Sequence, residues 1–218
     1  MHTVRLVGTP KTYWVGKVVC VARNYTEHIK ELGNEVPDKA VFFIKPSSSI
    51  IRDGEKVVIP PYSHDCHHEV ELAVLIGKWG KNIAEEDAME HVSGYGVALD
   101  LTLRDVQSEQ KQKGLPWEIA KGFDTSCPLS DFIPAAQVED PHTLRIALSV
   151  NGKSRQDSTT AFMMRQIPAL IAAASAYFTL EEGDILLTGT PAGVGPVVSG
   201  DRLEAEIEEV GRLEVMVQ

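Results

Sequence analysis

Apolar and polar positions alternate through much of this chain in short runs broken by glycine and proline, a rhythm of strands more than of long helices. Lys17 to Ala22 reads as a strand, and the polar run Asn24 to Glu31 as a short exposed helix that Asn24 is placed to cap. Val41 to Ile44 is a second short strand, closed by Lys45-Pro46 and a serine run that reads as loop. Val57 to Ile59 repeats the pattern before Pro60-Pro61. Glu69 to Ile76 and Tyr95 to Leu103 carry the two strongest strand patterns. Between them Ile83, Glu85, Glu86 and Met89 suit a helix within Gly77 to Ser93. Leu144 to Val150, Asn151-Gly152 and Lys153 onward predict a hairpin, because Asn-Gly favours a type I′ turn.

Pro168 to Phe178 is alanine-rich with Pro168 near its first turn, and predicts a buried helix. Ile185 to Leu187 is a strand that runs into Thr188 to Gly195, a stretch too rich in glycine and proline for an ordinary connector. The tail from Asp201 to Gln218 sets Leu203, Ala205 and Ile207 against Glu204, Glu206 and Glu208, the alternation of an edge or hairpin strand. With no internal repeat, coiled coil or long linker, the pattern predicts an α+β fold, predominantly β and mostly antiparallel, with short peripheral helices. Residues 1–15 read as an N-terminal extension and 16–218 as one domain.

Composition sharpens this picture. A chain of 218 residues that is 43% hydrophobic buries a core without staples. Cys20, Cys66 and Cys127 are odd in number and widely spaced, which frames neither a disulfide scaffold nor a metal knuckle and suits a reducing compartment. No apolar run approaches a membrane span, and Met1 to Pro10 lacks the pattern of a secretory signal, so a cytoplasmic protein is expected and Asn24-Tyr25-Thr26 is a chance glycosylation match. The net charge of −10, from 31 acidic and 21 basic residues without a basic tract, argues against nucleic acid as a partner, and without an apolar span no membrane partner is expected. It leaves a small anionic substrate open, because local groups set the potential of a pocket.

The candidate chemistry centres on acids. In an extended strand Glu69 and Glu71 point the same way, with Ala73 and Leu75 continuing their row, while Val70, Leu72, Val74 and Ile76 form the other face. Asp100 is a lone acid between Leu99 and Leu101, and a buried carboxylate requires a cation. Three such oxygen donors would suit a hard divalent ion with positions left open. The alternative is that Glu69 and Glu71 are a solvated face and that Asp100 pairs with Arg104 or Lys121. His67 and His68 match no zinc spacing and are read as supporting groups in preference to ligands. His28 and Glu31, three apart on a helix, could form a carboxylate-supported base or an ordinary surface contact. Lys121 follows a polar, mobile-looking stretch from Gln107 to Gly114, and could neutralise a carboxylate or be simply exposed. Thr188-Gly189-Thr190 has the small residues of an anion-binding nest but not the lysine of a nucleotide loop. No G-x-S-x-G elbow and no G-x-G-x-x-G after the first strand is present, so serine hydrolase and nicotinamide chemistry are not expected.

Taken together, Cys20-Val21-Ala22-Arg23-Asn24-Tyr25 with His28, Phe43-Ile44-Lys45-Pro46, His67-His68-Glu69-Val70-Glu71-Leu72, Gly94-Tyr95 through Asp100-Leu101-Thr102, Arg104-Asp105, Lys121-Gly122-Phe123-Asp124 and Thr188 to Gly195 span nearly the whole chain. In that order they resemble the fumarylacetoacetate hydrolase family, in its short acylpyruvate hydrolase branch. The resemblance implies a compact roll of mixed β-sheets, usually a homodimer, with Mg²⁺ or Mn²⁺ at the positions of Glu69, Glu71 and Asp100. It implies proton transfer at His28 with Glu31 as partner, a substrate-facing Lys121, and Arg23, Tyr25, Gln107 and Thr190 around the substrate. The expected activity is metal-dependent C–C hydrolysis of 2,4-dioxo acids to pyruvate and a carboxylic acid. Oxaloacetate decarboxylation or tautomerisation, isomerisation of other 2-oxo diacids, and a metal-binding scaffold without turnover are the alternatives.

Overall fold

The computed structural model describes residues 2–31, 33 and 36–218. Its largest sheet runs in the order Val41–Pro46, Lys17–Ala22, Ile185–Leu187, Val70–Ile76, Val92–Leu99, Cys127–Leu129, Ile50–Arg52, with Ile133–Pro134 also pairing onto Val92–Leu99. Most neighbours are antiparallel, while Ile185–Leu187 on Lys17–Ala22 and Cys127–Leu129 on Ile50–Arg52 are parallel. The sheet divides the core in two. Val70, Leu72, Val74 and Ile76 face one apolar cluster, and Ala73 and Leu75 the other, which is the two-row split that the sequence predicts.

A second sheet, ordered Lys153–Thr159, Arg145–Val150, Arg202–Ile207, Gly211–Val217, Lys56–Val57, closes over the first cluster. Its inward row includes Ile146, Leu148, Leu203, Ala205, Leu213 and Val215, while the intervening positions reach solvent or partial exposure. The predicted hairpin is present, with Asn151 at φ 52° and Gly152 at φ 74° as a type I′ turn requires. At the N-terminus Thr3–Arg5 pairs with Thr12–Trp14, and Val4, Leu6, Tyr13 and Val15 pack into the second cluster.

Four α-helices lie around the sheets among the described residues: α1 Thr26–Glu31, α2 Arg104–Lys113, α3 Glu118–Lys121 and α4 Ile167–Tyr177. A 3₁₀-helix, Glu85–His91, stands where the chain between the two strong strands reads as helical. None of the helices is long and apolar enough to cross a membrane.

Several local expectations change. The polar stretch 107–114 is ordered as α2, which ends where Gly114 takes a left-handed φ of 64° and donates to Gln110 and Lys111. Helix α4 buries only one face, through Ile167, Leu170, Ile171, Ala174 and Ser175. The pattern at 57–59 shrinks to Lys56–Val57, because Pro60 and Pro61 have no N–H to extend a ladder. Asn24 does not cap α1. Its amide nitrogen donates to the carbonyls of Arg165 and Thr188, and its oxygen accepts from Arg165 N, so it ties together two loops distant in sequence.

Most consequential for the site, neither strong strand is continuous. Glu69 separates Cys66–His68 from Val70–Ile76, and Asp100-Leu101 separates Val92–Leu99 from Thr102–Leu103. Val70 faces Leu99 in the large sheet and His67 faces Thr102 in a small one with Gly195–Val197, so the register passes unchanged through the break. Glu69 and Asp100 are therefore opposed residues at a hinge where one ladder passes between two sheets, joined by Asp100 N donating to Glu69 O at 2.8 Å.

Candidate metal centre

The hinge gathers the acids. Opposed residues of an antiparallel pair share a face, and residues two apart on a strand share it too, so Glu69, Asp100 and Glu71 converge. One oxygen from each lies within 4.8 Å of the others, and all three side chains are buried, which rules out a solvated face.

Three cations meet this charge. Lys121, at the end of α3, donates to Glu69 Oε2 at 2.9 Å and to Asp100 Oδ2 at 2.7 Å. Arg104, at the start of α2, binds Glu69 Oε1 through Nη2, and not Asp100. Lys45 is fully buried in a cage formed by the carbonyls of Leu101, Lys121 and Ser126 and by Ser126 Oγ. Its Nζ also lies 2.9 Å from Asp100 Oδ1, as an ion pair without hydrogen-bond alignment. Phe43 stands with its ring centroid 5.0 Å from Lys121 Nζ, a cation–π contact.

The three acids respond differently. Burial pushes Glu69 up, but Lys121 and Arg104 outweigh it and hold its carboxyl well below the usual range. Burial, Asp100 and Glu69 push Glu71 well above it, with Lys121 and the Gly189 N–H opposing. That N–H donates to Glu71 Oε2 at 2.6 Å. The centre is thus an all-oxygen donor set with one corner of negative charge poorly compensated, the condition that a hard divalent cation would relieve. The residues fit such an ion.

The loop after Ile185–Leu187 follows the strand that bears Glu71. Thr188 Oγ1 donates to Leu72 O at 2.9 Å, and Thr190 Oγ1 to Val70 O at 2.8 Å. Between them Gly189 has φ 91°, and a Cβ there would lie 2.8 Å from Asn24 Cβ, so glycine alone fits. The nest-like sequence therefore turns its amide toward a carboxylate of the protein itself.

A cavity opens from this centre, lined among others by Arg23, His28, Glu69, Glu71, Asp100, Gln107, Lys121 and Thr190. The structure thereby brings together most of the residues singled out from the sequence. Tyr25 is placed elsewhere: its ring is buried beside a neighbouring groove with Pro191 and Ala192 and does not line this cavity. Glu31 stands behind His28. Its Oε2 is 3.3 Å from His28 Nδ1, and both its oxygens accept from Gly193 N at 3.1 and 3.2 Å. Burial lowers the pKa of His28 from the ordinary histidine value, with Glu69 and Glu31 pulling the other way. Arg23 holds a left-handed φ of 60°, a conformation that costs a residue with a side chain about 1–3 kcal/mol and that clusters at functional sites.

His67 and His68 stand outside the carboxylate cluster. His67 contacts Asp65 at 3.0 Å, and buried His68 presents Nδ1 to Gln156 Oε1 at 3.1 Å. Gln156 was not apparent from the sequence, yet it is fully buried and saturated. It also accepts from Val70 N at 3.1 Å and donates to Thr190 Oγ1 at 2.8 Å and Pro191 O at 2.9 Å, fastening the loop to the strand that bears Glu71. Lys111 and Trp117 are further residues of the site that no sequence signal isolated, and Lys45, which the sequence offered only within the run Phe43 to Pro46, is another.

Comparison with known proteins agrees with this architecture. Residues 17–218 match the family described as fumarylacetoacetate (FAA) hydrolase C-terminal. The chain belongs to the fumarylacetoacetate hydrolase family. Among its relatives in that family, oxaloacetate tautomerase YcgM of Escherichia coli K12 is 55% identical over 192 residues, 88% of each chain. The mitochondrial oxaloacetate tautomerase FAHD1 of Mus musculus is 50% identical over 197 residues, 90% of this chain and 89% of the mouse protein. A crystal structure of fumarylpyruvate hydrolase from Pseudomonas aeruginosa, in complex with Mn²⁺ and pyruvate, superposes with a TM-score of 0.95 at 37% identity, covering 99% of this chain and 95% of that one.

Proposed function

We propose that this chain is an oxaloacetate keto–enol tautomerase that uses Mg²⁺ or Mn²⁺ held by Glu69, Glu71 and Asp100. The observation that carries the reading is a carboxylate-backed histidine in one cavity with three converging acids and a buried lysine. Identity of 50% and above to two proteins named oxaloacetate tautomerases supports the choice of reaction, and moves it ahead of the acylpyruvate hydrolysis expected from the sequence.

The chemistry is a proton shift. A divalent cation in this site would polarise a 2-oxo group and so acidify the adjacent C–H. With Nδ1–H donated to Glu31, His28 has Nε2 free to accept the C3 proton of oxaloacetate. The C–H electron pair forms the C2=C3 bond, the C2=O pair withdraws to oxygen, and the imidazolium of His28 gives its proton up to that oxygen, which regenerates the neutral ring; ketonisation is the reverse. Glu31 steadies the imidazolium while the proton is held. Lys121 offsets negative charge on the substrate's 2-oxo acid end, and Thr190 and Gln107 orient the chain of the substrate.

The test is ultraviolet detection of the enol in stopped-flow mixing, with protein stripped by EDTA and reloaded with Mg²⁺ or Mn²⁺. Metal-dependent ketonisation is expected, and His28→Ala should lose about 10²-fold or more in kcat while keeping its metal affinity. Wild-type rates in that variant would remove the base role, and no metal-dependent rate at all would reject the tautomerase. A second reading, hydrolysis of acylpyruvates, is favoured by the likeness to the fumarylpyruvate hydrolase. It needs water delivered to C4, and is read in parallel from the loss of acetylpyruvate absorbance.

A further inference from the structure

The chain is acidic overall, yet its cavity is ringed by cations. Beyond the acids at the floor, Arg23, Arg104, Lys111 and Lys121 all line it. Helix α2 explains part of this. Arg104, Gln107 and Lys111 fall on one face at spacings of three and four residues, a row that climbs about 10 Å along the axis. Arg104 binds Glu69 at the floor and donates from Nη1 to Gln107 Oε1 at 3.0 Å. Lys111 ends the row on the solvent side, where it is partly open to solvent. Its Nζ lies 5.2 Å from the Trp117 ring centroid, a contact that restrains a flexible side chain, and Trp117 lines the cavity as well.

The charges acting on Lys111 tell the same story. Partial burial and the nearby cations Arg104, Arg23 and Lys121 push its ammonium pKa down, with Glu69 opposing. Like charges concentrated at the mouth of a pocket raise the local concentration of an anion and discriminate by its charge. The acids at the floor already call for the 2-oxo acid end of a substrate, through a divalent ion. What the outer cations would meet is whatever the substrate carries at its other end.

We propose that Lys111, with Arg23, forms a subsite for the second carboxylate of a four-carbon 2-oxo diacid, and that Lys111 sets the preference of the enzyme for diacids over 2-oxo monoacids. The subsite rests on the tautomerase reading for the placement of the first carboxylate. Lys111 takes no part in the proton shift, so its contribution belongs to KM and not to kcat.

The measurement compares wild type, Lys111→Met and Lys111→Arg as metal-loaded full chains, using oxaloacetate as substrate and pyruvate as the inhibitor that lacks the second carboxylate. Lys111→Met should raise KM for oxaloacetate about tenfold or more, the scale of one lost charge-assisted contact, with kcat and the pyruvate inhibition constant unchanged within about twofold. Lys111→Arg should restore the wild-type KM. An unchanged KM, or a pyruvate constant that rises in step with it, overturns the subsite. Should the wild type turn over no oxaloacetate, the tautomerase reading fails and the subsite is judged separately, by calorimetric titration of the same proteins with oxaloacetate and with pyruvate. A loss in Lys111→Met confined to the diacid then supports it. Equal losses, or no diacid preference in the wild type, overturn it.

Discussion

Lys45 illustrates how much a single residue can carry from outside the cavity. A fully buried ammonium is costly unless every proton finds an acceptor, and Lys45 has carbonyls from Leu101 and Ser126 at 3.2 and 3.0 Å, that of Lys121, and the Asp100 carboxylate. One side chain thus fixes an acid of the centre and the backbone of its lysine. Lys45→Met keeps the stem but takes from Asp100 one of its two ammonium partners and from the carbonyls of Leu101, Lys121 and Ser126 a buried charged donor, so the expected cost in equilibrium urea unfolding is about 3–5 kcal/mol. A loss below about 1 kcal/mol would show that the cage is not what holds Asp100. Gln156 works by the same logic with a neutral group, spending each donor and acceptor of its amide on the joint between the Glu71 strand with its neighbour His68 and the 188–191 segment.

At the scale of elements, the centre depends on where a ladder stops and which loop runs beside it. The Thr188–Pro191 segment holds its course through three features: threonine hydroxyls on the carbonyls of the adjacent strand, the Gln156 amide, and a left-handed Gly189 pressed against Asn24. Gly189→Ala forces a positive φ on a residue with a side chain and brings Cβ into Asn24, which should cost about 1–3 kcal/mol of stability. The variant should also weaken Mn²⁺ binding in calorimetry, because the N–H that orients Glu71 moves. Wild-type affinity in a folded Gly189→Ala protein would separate the loop from the centre.

Such dependencies mark what the sequence could and could not disclose. The period of two put Glu69 and Glu71 on one face and named Asp100 as an acid in need of a cation, because a polar residue in an apolar run is conspicuous. The interruption at Glu69 and Asp100 was hidden, since Leu99, Leu101 and Leu103 keep the alternation running through it. Helix α2 was concealed for the opposite reason: two of its three buried positions are Gln107 and Gln110, so it shows little apolar stripe. Gln156 lies among Ser154, Arg155 and Asp157 on a largely exposed strand, and only its distant partners distinguish it. Where function rests on long-range pairing, residue pattern alone is silent.

For the whole molecule, the consequence is that an ion held by these acids would be coupled to the fold. The acids are buried between the two sheets' meeting point and the helices α2 and α3, so the geometry that would bind an ion exists only in the folded chain. A ligand that binds only the native state stabilises it by RT ln(1 + [L]/Kd), about 4 kcal/mol at a thousandfold excess over Kd. For a chain of this length each kcal/mol moves Tm by about 2–4 °C, so saturating Mn²⁺ should raise the transition of EDTA-treated protein by about 8–16 °C. Glu71→Gln is the discriminating variant. It preserves the volume and the acceptor for Gly189 N, while removing the carboxylate that burial, Asp100 and Glu69 make hardest to ionise. Without metal, relief of that repulsion should leave its Tm at or above that of wild type, and with Mn²⁺ the increment should shrink by more than half. An equal increment in both proteins would mean that the ion binds elsewhere, and an unstable metal-free variant that Glu71 serves the fold before the centre.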